Sequence, residues 1–257
     1  MGNPSNARVA AVGYRPPGLF FVGIALAMLV VVALGFSRSF YVRPVFTDKP
    51  LPAHLITHGV VMTAWYLLFV AQAALVYFRR TDLHRTLGVC AVVVAGAVVA
   101  TAIQVQLNVV PRMISLGMVS SEEDLTRAAG FALSSMSSLV PFVVLVTLAL
   151  LYRRRTDIHK RLMFWAFVWT IGPAFAEGRP LGQMLDPLVQ PQLQFFPADL
   201  IWLAALVAYD WKMQRRIHPA TWIGFALLAF YALFAQEWIA SLEPLQEWLK
   251  AHVRAHG

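Results

Sequence analysis

The sequence predicts an all-α integral membrane protein, a helical bundle with about seven transmembrane helices. Three observations predict it. Hydrophobic residues make up 59% of the 257 and charged residues only 13%, with a mean hydropathy of +0.63, too apolar for a soluble domain. Several uncharged runs approach or exceed the roughly 20 residues a helix needs to cross a hydrocarbon core about 30 Å thick. Within that core every backbone polar group must be paired internally, which helices do. The runs are separated by short links, three of them strongly basic.

Taken in order, the expected spans are 18–36, 55–78, 87–110, 131–151, 162–176, 195–211 and 222–240. The fifth and sixth are shorter and are interrupted by Pro173, Pro197 and Asp199. Residues 1–17 form an N-terminal tail, and 241–257 form a segment outside the seven-helix domain of 18–240. The first apolar run exceeds a signal-peptide core and is followed by "SRSFYVRP" rather than a small-residue cleavage site, so it is expected to stay as an anchor. Cys90, the only cysteine, falls inside the third span, which excludes a disulfide framework and a cysteine-based metal site.

"RRTDLHRTL" at Arg79–Leu87 returns almost unchanged as "RRTDIHKRL" at Arg154–Leu162. With "DWKMQRRIHP" after span six, these are the three basic links, whereas the link after span three carries Glu122, Glu123 and Asp124. The positive-inside rule makes the basic links cytoplasmic, the N-terminus inside and the C-terminus outside. Arg38, Arg43 and Lys49 argue the other way, one link against three. The net charge of +8 is assigned to these loops and to anionic lipid headgroups, with no nucleic-acid partner. The duplication implies parallel-repeat hairpins, spans two-three and four-five, with "RRIHP" marking a third after a leading helix. Small residues Gly88, Ala95, Gly96 and Ala97 suit close packing of span three.

Within each copy, Thr81 or Asp82 and Thr156 or Asp157 are candidate caps of the following helix. His84 and His159 then sit in the first turn, and two readings apply. They are ligands of a cofactor on the cytoplasmic side, with His218 as a third candidate, or interfacial residues of a capping motif. The flanking cations favour the second, because they disfavour both an imidazolium and a metal cation.

Span two places His54, His58, Trp65 and Gln72 within about 40° of one stripe, which is expected to face the bundle rather than lipid. His54 and His58 have the i, i+4 spacing with which one helix offers two imidazoles to a metal, and the alternative is a pair of interhelical hydrogen-bonding histidines near the interface. Gln104, Glu177, Asp199 and Glu237 lie at the same end of their spans and complete a candidate mixed His–carboxylate shell for a divalent metal. Trp65, Gln72 and Gln104 are candidate cavity-lining residues. The proline-rich link 178–198 reads as a lid or an interfacial segment. Trp238, Leu242, Leu245, Trp248, Leu249 and Val253 form the apolar stripe of an amphipathic surface helix.

The stretches "HGVVMTAWYLLFVAQAALV", "LHRTLG" and "DIHKRLM" resemble a family of uncharacterised bacterial multi-pass membrane proteins, over spans one to five rather than the C-terminal third. That resemblance implies a bacterial inner membrane and carries no activity. The chain is also loosely similar to cytochrome b561-type bundles, which pair histidines of two helices at equal depth and so imply haem b. His54 and His58 depart from that pattern, having no partner at their end of spans three to five. The functions expected are metal or haem binding in redox or metal handling, a lipid or small-molecule transporter or membrane enzyme, and an accessory or assembly subunit. No H-E-x-x-H or nucleophile-elbow motif supports a hydrolase.

Overall fold

The computed structural model describes residues 19–176, 179–185 and 197–256. Every regular element among them is helical. Helix α1 (Phe20–Gly35) buries Ala25, Met28, Val32 and Gly35, a stripe at helical spacing, and turns Leu26, Val30 and Leu34 outward. Gly35 is required there, because a Cβ would lie 2.5 Å from the Ala174 carbonyl oxygen. A π-helical turn (Ser37–Tyr41) and a 3-10 turn (Arg43–Val45) lead into α2 (Ala53–Tyr77).

Helix α2 stops in a Schellman closure. The Arg80 N–H reaches the Leu75 carbonyl and the Arg79 N–H the Val76 carbonyl, with Arg79 at φ 61° where glycine is usual. Helix α3 (Thr81–Ser115) follows directly. Its 35 residues span about 52 Å at 1.5 Å each, well beyond a hydrocarbon core. Helices α4 (Glu122–Ser137) and α5 (Leu139–Leu151) form one rod of 30 residues. Ser121 starts it with a capping box: its Oγ accepts from the Asp124 N–H (3.1 Å), and the Asp124 carboxylate accepts from the Ser121 N–H (3.1 Å).

Helix α6 (Thr156–Ile171) continues as a 3-10 turn (Gly172–Phe175) at Pro173. It is buried around its circumference, through Arg161, Phe164, Trp165, Phe167 and Val168, and so lies at the centre of the bundle. Phe167 is stacked between Trp65 (centroids 4.4 Å apart) and Phe69 (3.9 Å), while the Tyr66 hydroxyl meets the Phe167 carbonyl (3.1 Å) and Thr170 (2.9 Å). These contacts fasten α2 to α6. After α7 (Pro180–Leu185) and α8 (Pro197–Gln214) comes a rod of α9 (Pro219–Phe230), a π-helical turn (Tyr231–Ala235) and α10 (Gln236–Ala240). Helix α9 passes close over α6 at Gly224, where a Cβ would overlap the Trp165 ring.

Four of these rods, 53–77, 81–115, 122–151 and 219–240, are long and apolar enough to cross a membrane. The other three expected spans also hold helices, but α1 and α6 have 16 residues each and α8 carries Asp199, Asp210 and Lys212. The chain is therefore an all-helical membrane protein with four candidate spans among the described residues.

Helix α11 (Glu243–His256) ends the chain. Leu249 and Val253 are buried with Val110, Leu125, Ala129 and Leu133, so half of its apolar stripe docks on α3 and α4. Leu245 and Trp248 remain exposed. Lys250 bridges Glu247 (2.5 Å) and Glu122 (3.6 Å), and Arg254 adds a second bond to Glu122 (2.8 Å).

Candidate functional site

The three basic links come together at one end of the bundle. Helices α3, α6 and α9 all begin there, and the turns before them are held by side chains of their neighbours. Thr81 and Thr156 are the first residues of α3 and α6, with Arg80 and Arg155 as N-caps and no side-chain cap bond at either. The N-cap position expected of Thr81, Asp82, Thr156 or Asp157 is corrected accordingly, although the Asp82 carboxylate still accepts from the Leu83 N–H within the first turn. Asp82 and Asp157 stand inside the first turn, where a carboxylate favours the positive helix end, and they face Arg80 (3.5 Å) and Arg155 (3.9 Å). At α9 the cap is a histidine, since the His218 Nδ1 accepts from the Ala220 N–H (3.1 Å). With its lone pair used there, His218 carries its proton on Nε2 and donates to Asp157 (3.1 Å).

Beneath this ring lies a buried ion pair. Arg161 and Asp210 are 1% and 0% exposed, and the guanidinium donates to Asp210 through both Nε (3.0 Å) and Nη2. The remaining capacity of the Asp210 carboxylate is taken by the Thr221 hydroxyl (2.5 Å), the His218 N–H (3.0 Å) and the Gln214 amide (3.4 Å). Arg161 also donates to the Asp157 carbonyl oxygen (2.6 Å). One saturated network thus ties α6, α8 and α9 together, which is the condition under which a buried pair is tolerated. The sequence reading did not single out Arg161 or Asp210. Both stand at the borders of apolar runs, Arg161 beside Lys160 and Asp210 two residues before Lys212, so in the sequence they merge with the basic links.

Next to this network, His84 of α3 and His159 of α6 approach each other with ring centroids 6.4 Å apart and planes at 88°. Both rings are half-buried. The His159 Nδ1 donates to the Ala149 carbonyl oxygen (2.8 Å) in the last turn of α5, where helical carbonyls lack partners within the helix. His84 faces Gln72 of α2, whose amide sits against the first turns of α3. One neighbouring cation is engaged elsewhere: Lys160 donates to the Tyr209 hydroxyl (2.9 Å) and lies 5.4 Å from the Phe21 ring centroid.

At the opposite end the residues singled out from the sequence are more dispersed. His58 donates through Nδ1 to Thr101 Oγ1 (3.1 Å), whose own proton goes to the Ala97 carbonyl (2.8 Å). His54 is half-buried one turn away. Trp65 is buried in the aromatic stack, 5.4 Å from the Phe142 centroid, and its indole N–H has no conventional acceptor. Gln104 and Glu237 are exposed, Asp199 is half-buried, and Glu177 lies outside the described residues. Among the described residues, no three His, Cys, Asp or Glu side chains converge in a way that could hold a metal ion. Gly88 and Ala95 lie at the α2–α3 contact and in the core, while Gly96 has open space around it.

The basic end therefore offers two imidazoles from the repeated motif, brought side by side from separate helices, above a saturated ionic lock. No family model, curated protein or solved structure matches the chain.

Proposed function

We propose that this chain is a multi-pass membrane protein that binds haem b between His84 and His159, in electron transfer or metal handling. One observation carries the reading: the repeated motif sets its two imidazoles 6.4 Å apart, centroid to centroid. A group bound there would be held by the Nε2 atoms of the two rings, since each Nδ1 already faces a protein group. Two protein ligands are enough for haem iron, since the macrocycle supplies its other nitrogens. Of the flanking cations, Arg80, Arg155, Lys160 and Arg161 each have a partner of their own, while Arg85, next to His84, is a positive neighbour that the bound group would have to tolerate.

The finer architecture belongs to the same proposal. It is a leading helix and three hairpins in parallel repeat, with the basic links cytoplasmic in a bacterial inner membrane. Anionic headgroups would then face Arg79, Arg153, Arg154 and Arg216. A second reading, an accessory subunit without a cofactor, is favoured by the bonds of His159 to Ala149 and of His218 to Ala220. Each gives a histidine a structural task.

The absorption spectrum and metal content of protein purified from membranes test the proposal. The expected result is a Soret band that is lost in both His84→Ala and His159→Ala. A stoichiometric divalent metal without a Soret band would replace haem by an ion. Neither signal would leave the accessory reading.

A further inference from the structure

We propose that helix α11 stands outside the membrane as part of a three-helix projection and pairs, along an uncharged stripe, with α11 of a second copy of this chain. The inference is independent of what the basic end binds, since it concerns the opposite end of the bundle.

The direction of α11 is fixed by its partners on α4. Gln246 lies against Gly130, where a Cβ would come 3.8 Å from its amide nitrogen. Lys250 donates to the Thr126 hydroxyl (3.3 Å) and Arg254 to the Glu122 carboxylate (2.8 Å). Each four-residue step forward along α11 is matched by four residues backward along α4, so the two helices run side by side and antiparallel. The bond from Gln236 to Ser134 (2.7 Å) carries the same pairing into the membrane rod. Helix α11 therefore continues the rod of 219–240 outward instead of lying on the bilayer. With the start of α4 and the end of α3 it has a core of its own, around Val110, Leu125, Leu133 and Leu249. The lengths agree: α3 exceeds a hydrocarbon core by roughly 22 Å, and the 14 residues of α11 measure about 21 Å.

Trp248 then sits about 12 Å beyond Ala240, the end of the membrane rod, whereas the polar layer of a bilayer is about 5–8 Å deep. Lipid tails do not cover it there, yet it is 52% exposed. Pro244, Ala251 and Ala255 are also exposed and lie in line with it, at spacings of four, three and four. That is the spacing of a helix–helix seam, on a different face from the Leu249 and Val253 that dock on α4. A tryptophan at the centre of an uncharged stripe in water is the usual anchor of a protein contact.

Two features fit a second copy. All copies insert the same way, so a two-fold axis along the membrane normal sets two α11 helices parallel and in register. The alanines beside Trp248 then leave room for a layer of two indoles. In that register Glu247, just before Trp248, meets His252 of the second copy, just after Ala251, so a carboxylate faces an imidazole on both sides of the seam. Glu247 is placed by Lys250 of its own helix, and His252 by stacking on Trp248 (centroids 5.8 Å apart). Both copies are already upright in one plane, which lowers the orientational cost of so short a seam.

Membranes holding the full chain with Cys90→Ser and one new cysteine test the pairing by mild oxidation. Ala251→Cys, in the seam, is expected to give a disulfide-linked dimer, and Glu243→Cys, off the seam, about tenfold less, because a disulfide needs close Cα atoms. Glu247→Cys and His252→Cys on separate co-expressed copies should join to each other through a short bis-maleimide more than either joins to itself. Light scattering in mild detergent should show two chains per particle in the wild type and one in Trp248→Ser. Equal cross-linking at 243 and 251, or none at 251, would overturn the pairing. So would cross-linking of Ala251→Cys to a different protein, or quenching of Trp248 by brominated lipid, read as the difference from Trp248→Phe. Should Trp248→Ser not fold, the cross-linking pattern decides alone.

Discussion

Arg161 and Asp210 show how much a single residue can carry in this bundle. The guanidinium is 1% exposed and its partner carboxylate is saturated by four groups, so removing either charge strands the other away from water. Arg161→Met is expected to destabilise the fold by about 3–5 kcal/mol, whereas Arg161→Met combined with Asp210→Leu should recover most of that loss. Unfolding in mixed micelles, followed by far-UV dichroism, measures both. Equal losses in the single and double variants would show that the pair contributes packing rather than charge compensation. Thr221→Val removes one neutral donor to the same carboxylate and should cost about 1 kcal/mol. Arg79 is a smaller case of local strain, at φ 61° in a closure that glycine enters freely. Arg79→Gly is expected to be neutral or stabilising by up to about 1 kcal/mol in the same assay, and a clear loss would mean that the side chain outweighs the strain.

Among the elements, α11 depends most on charge. Its docking on α4 combines the buried Leu249 and Val253 with Lys250 and Arg254 against Glu122. Glu247 and then Glu122 hold the Lys250 ammonium above its ordinary value of 10.5. A raised cation contributes stability that is complete below the ordinary lysine pKa and is lost only as pH rises past the folded-state value. Docking should therefore be as firm at pH 9 as at pH 7, judged by the rate of proteolysis within 243–256. Loosening already at pH 9 would assign the contact to another group. Glu122→Gln removes the acceptor shared by Lys250 and Arg254 and is expected to speed that cleavage, more at low salt than at high. The start of α4 was legible in advance, because Ser121 followed by Asp124 three residues later is a capping-box signature, while the expected span from 131 was drawn on the apolar run and marks hydrophobicity rather than the helix start. The π-helical turn at Tyr231–Ala235 has no such signature. Inside it, the Tyr231 hydroxyl contacts Ser137 and the Ser134 carbonyl (3.3 Å), both on α4. A bulge decided by a partner helix cannot be read from its own sequence.

For the molecule as a whole, the clustering of all three basic links at one end is a fact of the fold, and their side of the membrane is the proposal. Single cysteines introduced at Arg80, Arg154 and Arg216, in a Cys90→Ser background, should be shielded from a membrane-impermeant maleimide added outside intact cells. A cysteine in place of Glu243 should react. The reverse pattern would invert the topology while leaving the shared end intact. Labelling of only one or two of the three basic links from outside would contradict the bundle itself, since their contacts require a common side.

The sequence by itself determined the helical class, the membrane character and most helix positions. Backbone hydrogen bonding in hydrocarbon leaves a chain this apolar few alternatives, and runs of apolar residues are local in sequence. It also exposed the twin histidine motif, because repetition is visible without coordinates. Only the tertiary structure decided that His84 and His159 meet, that Gln72 lies behind one ring and the Ala149 carbonyl behind the other, and that Asp210 closes on Arg161 from 49 residues away. Those contacts join separate helices whose faces depend on how each rod is rotated and how far it slides along its neighbours. Van der Waals packing sets rotation and depth, as when Phe167 enters between Trp65 and Phe69, and no local pattern encodes where a distant ring will fit.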